Sequence, residues 1–213
     1  MKSIESNTPK NIWKKFWYFF WKDDTIWGWL FSLAIIIIFI KFIFFPTLNF
    51  VTGTSLPLAI VESCSMYHEG NLLSNYNNWY NSHESKYNEF DITQDEFSNF
   101  KFKNGFNKGD ILLIFGANTK KLKEGDVIIF QANQANPIIH RIINIETDEK
   151  TGKRTFATIG DNNNGQLVFE KNIQENQIIG KAVFKLLPYG GWGKLIFFEF
   201  RKTPDQKGFC NQN

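Results

Sequence analysis

Three short stretches of this 213-residue chain carry side chains that could do chemistry together: ESCSMYH around Ser65, NPIIHRIINI around His140 and TIGDNNN around Asp161. A serine hydroxyl is a poor nucleophile until a base takes its proton. An imidazole titrates near neutrality and can act as that base, and a carboxylate can orient the ring and stabilise the imidazolium that forms. Together the three supply what serine acyl transfer needs. Singly, each has a plainer reading. A serine among small residues is usually structural, a lone strand histidine is usually a satisfied side chain, and Asp161 before three asparagines reads as a turn. Gly109-Asp110 and Gly125-Asp126 read as similar turns without chemistry. No metal is expected, because His68, His83 and His140 are scattered and Cys64 and Cys210 lack zinc-ligand spacing. Those two cysteines leave room for one bridge.

The elements that must position these groups are mostly strands. Ile111–Phe115, Asp126–Gln131, Ile138–Ile145, Arg154–Ile159 and Ile178–Leu186 are rich in Ile, Val and Phe and bounded by Gly, Asn and Asp. The polar turn between Ile145 and Phe156 predicts a hairpin of the third and fourth runs. Alternation along the third places Ile138, His140 and Ile142 on one face and Arg141 on the other. Between Glu69 and Phe106 the composition turns polar and aromatic. Leu72, Leu73, Tyr76, Trp79 and Tyr80 follow helical spacing, and Thr93 with Glu96 makes a capping box before Phe97 and Phe100. The expectation is a mainly β body with a small helical insertion over residues 69–106.

Before this body runs IWGWLFSLAIIIIFIKFIFF, residues 26–45, with Lys41 as its one charge. At about 1.5 Å per residue it spans a hydrocarbon core of about 30 Å. A signal peptide's apolar region is shorter, about 7–15 residues, behind a short basic start, so an uncleaved transmembrane anchor is expected. Lys2, Lys10, Lys14, Lys15 and Lys22 precede it, and after Lys41 no Lys or Arg follows until Lys86. The positive-inside rule puts residues 1–25 in the cytoplasm and residues 46–213 outside. Within the leader, Trp13, Phe16, Trp17, Phe20 and Trp21 suit an interfacial amphipathic helix or an extension of the anchor. The mean hydropathy of -0.28 averages this apolar run with a polar body. A net charge of +3 is too small for a nucleic-acid-binding face.

The order of the motifs V-E-S-C-S-M, G-D-I-L-L-I-F, G-D-V-I-I-F, I-I-H-R-I-I and I-G-D-N-N resembles the successive boxes of the type I signal peptidase family, from about Ile60 to Trp192 with the insertion interrupting. The resemblance implies a signal-peptidase-like β catalytic domain that cuts signal peptides from exported preproteins at the membrane's outer face, with no cofactor. It implies Ser65 as nucleophile, Ser63 beside the Ser65 N–H in the oxyanion hole, His140 as base and Asp161 as its acidic partner. A histidine at that position resembles the archaeal and endoplasmic-reticulum branch, where the bacterial branch has lysine. Secretory preproteins and the lipid bilayer are the implied partners, with room for protein-export machinery.

Three departures from the family pattern stand out. Tyr67 and His68 follow Met66, where an acidic residue and a proline are common. The second Asp expected soon after G-D-N-N is missing, and Glu170 is the next acid. Either Asp161 alone supports His140, the reading favoured on sequence, or Glu170 substitutes. His68 matches no catalytic position and is read as structural or substrate-adjacent, and the insertion carries no catalytic assignment. Two other readings stay open: a non-catalytic membrane-anchored binding relative, and a sortase-like transpeptidase using Cys64, His140 and Arg141, against which the Cys-before-His order argues.

Overall fold

The computed structural model describes residues 11–21, 25–70, 76–203 and 207–210. Lys2, Lys10, Lys22, Leu72 and Leu73, and the side chains of Lys15, Phe16 and Phe20, lie outside the described residues. The chain forms two compact units, Met1–Val51 and Thr52–Asn213.

In the first unit, α1 (Ile12–Trp21) carries Trp13, Trp17 and Trp21 at four-residue spacing, all exposed. Helix α2 (Ile26–Phe39) begins at Thr25, whose hydroxyl accepts from the Gly28 N–H at 3.1 Å, a side-chain cap on an otherwise orphaned donor. It continues through a π-turn (Ile40–Phe44) into α3 (Phe45–Thr52). Pro46 offers no N–H to the preceding turn, and the wider π-turn lies where that missing donor and the ring must be accommodated. The 27-residue helix Ile26–Thr52, of mean hydropathy 2.5, is long and apolar enough to cross a membrane. It extends seven residues beyond the predicted run, because Phe50 and Val51 sustain the apolar character.

The second unit is built on a seven-stranded antiparallel sheet of order β1-β2-β7-β3-β4-β5-β6. Its strands are β1 (Leu58–Ile60), β2 (Ile111–Phe115), β3 (Val127–Phe130), β4 (Ile138–Thr147), β5 (Arg154–Ile159), β6 (Ile173–Gln174) and β7 (Ile178–Leu187). The five predicted strands are present, and β4 with β5 forms the predicted hairpin. Short β1 and β6 add to them. Both faces of the sheet are covered, and alternation sorts the side chains. Leu112, Ile114, Val127, Ile129 and Ala182 share one apolar cluster, whereas Ile128, Phe130, Ile142, Phe156 and Ile173 share another. The two Gly-Asp turns use one device twice. Buried Asp110 and Asp126, entering β2 and β3, pair with Lys185 and Lys181 of β7 at 2.8 and 2.6 Å.

Within residues 69–106 lie α4 (Tyr76–Asn88) and α5 (Gln94–Ser98), the latter entered through the Thr93/Glu96 capping box. Their aromatic side chains bury Trp79, Tyr80, Tyr87 and Phe97 against Ile143 and Ile159 of β4 and β5. That aromatic contact explains why so polar a segment is ordered on the sheet: its few large rings supply the buried apolar area its polar residues cannot.

Candidate functional site

Ser65 sits in the turn after β1, where the Tyr67 N–H donates to the Cys64 carbonyl at 3.0 Å. The turn is held to the body through its own backbone. The Asn162 N–H donates to the Ser65 carbonyl at 2.7 Å, and the Phe106 N–H donates to the Met66 carbonyl at 2.7 Å. Gly160 makes the first of these approaches feasible, since a Cβ there would lie 2.8 Å from the Ser65 carbonyl oxygen. Cys64 is joined to Cys210 by a disulfide, so a segment close to the C-terminus is covalently tied to the residue before Ser65.

His140 projects from β4 and is buried. Its Nε2 lies 2.9 Å from the Ser65 Oγ, and its Nδ1 contacts a carboxylate oxygen of Glu170. Glu170 ends a 3₁₀ turn (Val168–Glu170) and is fully buried, with its second oxygen accepting the Leu167 N–H at 2.6 Å. A carboxylate accepts only, so the Nδ1 of His140 carries the hydrogen and Nε2 presents its lone pair to the serine. The Ser63 hydroxyl lies 3.1 Å from the Ser65 hydroxyl. Ser63, Ser65 and His140, all singled out from sequence, therefore meet in one place.

Asp161 lies elsewhere. Its carboxylate accepts from Arg141 Nε at 2.9 Å and Nη2 at 2.6 Å, from Tyr87 at 2.9 Å and from His68 Nε2 at 2.9 Å. The reason is the pleat. Adjacent residues of β4 point to opposite faces, His140 with Ile138 and Ile142 on one and Arg141 with Ile139 and Ile143 on the other. Arg141 pairs across the hairpin with Ile159, two residues before Asp161, so the acid closing β5 falls to the arginine's side. The sequence-favoured support of His140 by Asp161 is not the arrangement found; the alternative acid, Glu170, occupies that place. The register drawn from the turn alone, Thr147 with Arg154 through Asn144 with Ala157, would have put His140 opposite Asp161; the irregularity between Ile142 and Asn144 shifts it by one residue and brings Arg141 to Ile159 instead.

The electrostatics of the Asp161 cluster follow from burial and pairing. Burial alone would raise the Asp161 carboxyl, but Arg141 and the His68 hydrogen bond more than offset it and hold it well below the usual carboxylate range. Burial pushes His68 down to about 4 against the pull of Asp161, so its ring is neutral and donates from Nε2. That ring stacks on Trp79 with centroids 3.4 Å apart. Arg141 donates further to the carbonyls of Lys101, Phe102 and Gly125. His68, read from sequence as structural or substrate-adjacent, is enclosed among these groups.

With a buried histidine between a buried acid and a hydroxyl, the arrangement can move a proton from Ser65 Oγ to Nε2 and stabilise the resulting imidazolium. Comparison with known proteins adds a direction. No protein-family model matches the chain. Part of its sequence is similar to the "Signal peptidase complex catalytic subunit SEC11" of Lachancea thermotolerans, 41% identical over 61 residues, which is 28% of this chain and 36% of that relative. These relatives are signal peptidases. The human "Signal peptidase complex catalytic subunit SEC11C" is 27% identical over 103 residues, 46% of this chain and 53% of its own length. SEC11 of Plasmodium falciparum is 38% identical over 61 residues, 28% of this chain and 32% of the relative. The chain thus spans about a third to a half of the length of the curated relatives it matches. It has signal peptidase homologues at low identity, and its mainly β body with one apolar N-terminal helix is consistent with that type of domain.

Proposed function

We propose that this chain is a membrane-anchored serine endopeptidase that removes signal peptides from exported preproteins. The observation that carries the reading is the 2.9 Å approach of His140 Nε2 to the Ser65 hydroxyl, with Glu170 on the opposite ring nitrogen. His140 takes the Ser65 proton as Ser65 Oγ attacks the scissile carbonyl. The Ser65 N–H, with the neighbouring Ser63 hydroxyl, receives the developing oxyanion. His140 then protonates the leaving amine, which departs as the carbonyl re-forms, and water deacylates Ser65 by the reverse sequence of proton transfers. Glu170 keeps the ring in the tautomer that each step requires. The histidine base aligns this chain with the archaeal and endoplasmic-reticulum branch.

The substrate's apolar segment lies in the bilayer, and helix Ile26–Thr52 anchors the enzyme in the same plane, which makes the encounter nearly intramolecular. The extended peptide adds as a strand beside the residues leading into Ser65, which gives main-chain affinity with little sequence demand, and small side chains near the cut set specificity. Residues 46–213 face the non-cytoplasmic side. The lysine excess before Ile26 supports this orientation, as does the Cys64–Cys210 disulfide, since such bonds persist in oxidising compartments.

Cleavage of a preprotein inserted in lipid vesicles tests the reading. Ser65→Ala and His140→Ala should each lower kcat by roughly 10⁴-fold or more, and a fluorophosphonate should label wild type at Ser65. Full cleavage by either variant would remove the Ser65–His140 mechanism, and a wild type that neither cleaves nor labels would return the chain to the class of non-catalytic binding relatives.

A further inference from the structure

The helical insertion reaches the nucleophile from behind. Lys86, near the end of α4, donates from Nζ to the Asp161 carbonyl at 2.5 Å and to the Asn163 carbonyl at 3.2 Å. The Asp161 carbonyl and the Asn162 N–H belong to one peptide group, and that N–H donates to the Ser65 carbonyl at 2.7 Å. One planar peptide is therefore gripped from both sides, by an ammonium at its oxygen and by the nucleophile's own carbonyl at its hydrogen. A cation at the oxygen polarises the amide and strengthens its N–H as a donor, so the two bonds reinforce each other.

We propose that Lys86 is a positioning residue for Ser65, holding the Asp161–Asn162 peptide and, through it, the carbonyl and backbone orientation of the nucleophile. This rests on the reading of Ser65 as the acylated group. Lys86 is not needed to neutralise Asp161, whose carboxylate already has Arg141, Tyr87 and His68. Its bonds go to carbonyls, and its ammonium lies over the rings of Tyr87 and Trp79, 5.0 and 6.0 Å from the centroids. The role given to the insertion is thus to brace the turn that carries Ser65, in addition to covering the sheet.

The charged and titratable groups around Lys86 set its pH behaviour. Asp161 from the turn after β5 favours its charge, while Arg141 from β4 opposes it. His83 and Tyr87 flank it on α4, and a cavity of about 310 Å³ beside it is also lined by Glu89 and Lys171. Burial dominates and brings Lys86 down to about 8. As pH rises through that value the ammonium becomes a neutral amine and a weaker donor, so kcat gains a falling alkaline limb.

The test uses the full chain in vesicles with an inserted preprotein, comparing wild type, Ser65→Ala, Lys86→Met and Lys86→Arg. Lys86→Met keeps the aliphatic stem but no donor. It should lower kcat roughly 10- to 100-fold, as expected for a small misplacement of a reacting group. KM and melting temperature should change little, and fluorophosphonate labelling of Ser65 should slow in parallel. Lys86→Arg should restore most of the rate and move the alkaline limb above pH 8. The proposal is overturned if folded Lys86→Met turns over at the wild-type rate, or if the loss appears only in KM or only with melting. If Lys86→Met does not fold, a wild-type limb that is absent, or that Lys86→Arg leaves in place, overturns it equally. Activity retained in Ser65→Ala would defeat the functional reading and this inference with it. An inactive Ser65→Ala beside an undiminished Lys86→Met would defeat this inference alone.

Discussion

Two buried carboxylates serve two neighbouring residues of one strand, and their surroundings give them opposite work. Glu170 meets an imidazole and one backbone N–H, and the imidazole's other nitrogen ends on the half-buried Ser65 hydroxyl. Asp161 meets a guanidinium, a phenol and a second imidazole, all buried. The first cluster has an unspent step, a proton that can move toward charge the acid is ready to stabilise. The second already sets a full positive charge beside the negative one and directs a donor at each carboxylate lone pair. A buried acid is thus useful to catalysis when it is satisfied by a group that can still change charge, and useful to the fold when it is not.

The comparison can be broken most sharply at Glu170. Glu170→Gln removes the charge that stabilises the imidazolium and should cut kcat on an inserted preprotein by about 10³- to 10⁴-fold. Gln is nearly isosteric but has one acceptor oxygen where Glu170 uses two, so its NH2 must face either the Leu167 N–H or His140 Nδ1, and thermal melting should fall by less than the rate does. A rate within tenfold of wild type would dissolve the distinction between the clusters.

At Asp161 the expected loss is in the fold. Asp161→Asn leaves the Arg141 guanidinium buried without its counter-charge, which costs about 3–5 kcal/mol. Denaturant unfolding of the variant body measures it, and an unchanged midpoint would contradict the structural role.

A smaller effect separates the clusters by pH. His68 has its folded-state value near 4, below the ordinary 6.5, so the unfolded chain binds its proton first. The stability that neutral His68 confers is complete above pH 6.5 and is lost as pH falls from there toward 4, by up to about 3 kcal/mol. His68→Gln keeps a donor for Asp161 without a titrating ring, and should flatten this part of the stability profile. An equal slope in the variant would place the acid sensitivity elsewhere.

Much of this was legible in the chain because strands and apolar helices advertise themselves by period and length. The runs at 111–115, 138–147 and 178–187 alternate or stay apolar long enough to be seen, whereas Leu58–Ile60 and Ile173–Gln174 are too short for any period. Ser65 and His140 were readable because their chemistry and surrounding motifs are distinctive. The choice between Asp161 and Glu170 was harder, since it depends on which face of β4 each acid reaches, a property of strand register and of the 3₁₀ turn at Val168–Glu170. The Cys64–Cys210 bond and the grip of Lys86 on the 161–163 carbonyls depend on approaches between residues 146 and 75–77 apart, which no local pattern encodes.

The most direct measurement of the central claim is the rate at which a fluorophosphonate phosphonylates Ser65, with loss of fluoride, in wild type, Glu170→Gln and Asp161→Asn, taken in the cold and expressed per folded molecule. The small probe removes preprotein binding from the result and leaves nucleophile activation. A loss of about 10³-fold in Glu170→Gln, with Asp161→Asn within about tenfold of wild type, is the predicted outcome. The reverse ranking, with Asp161→Asn inert and Glu170→Gln reactive, would contradict the assignment of Glu170 to the histidine.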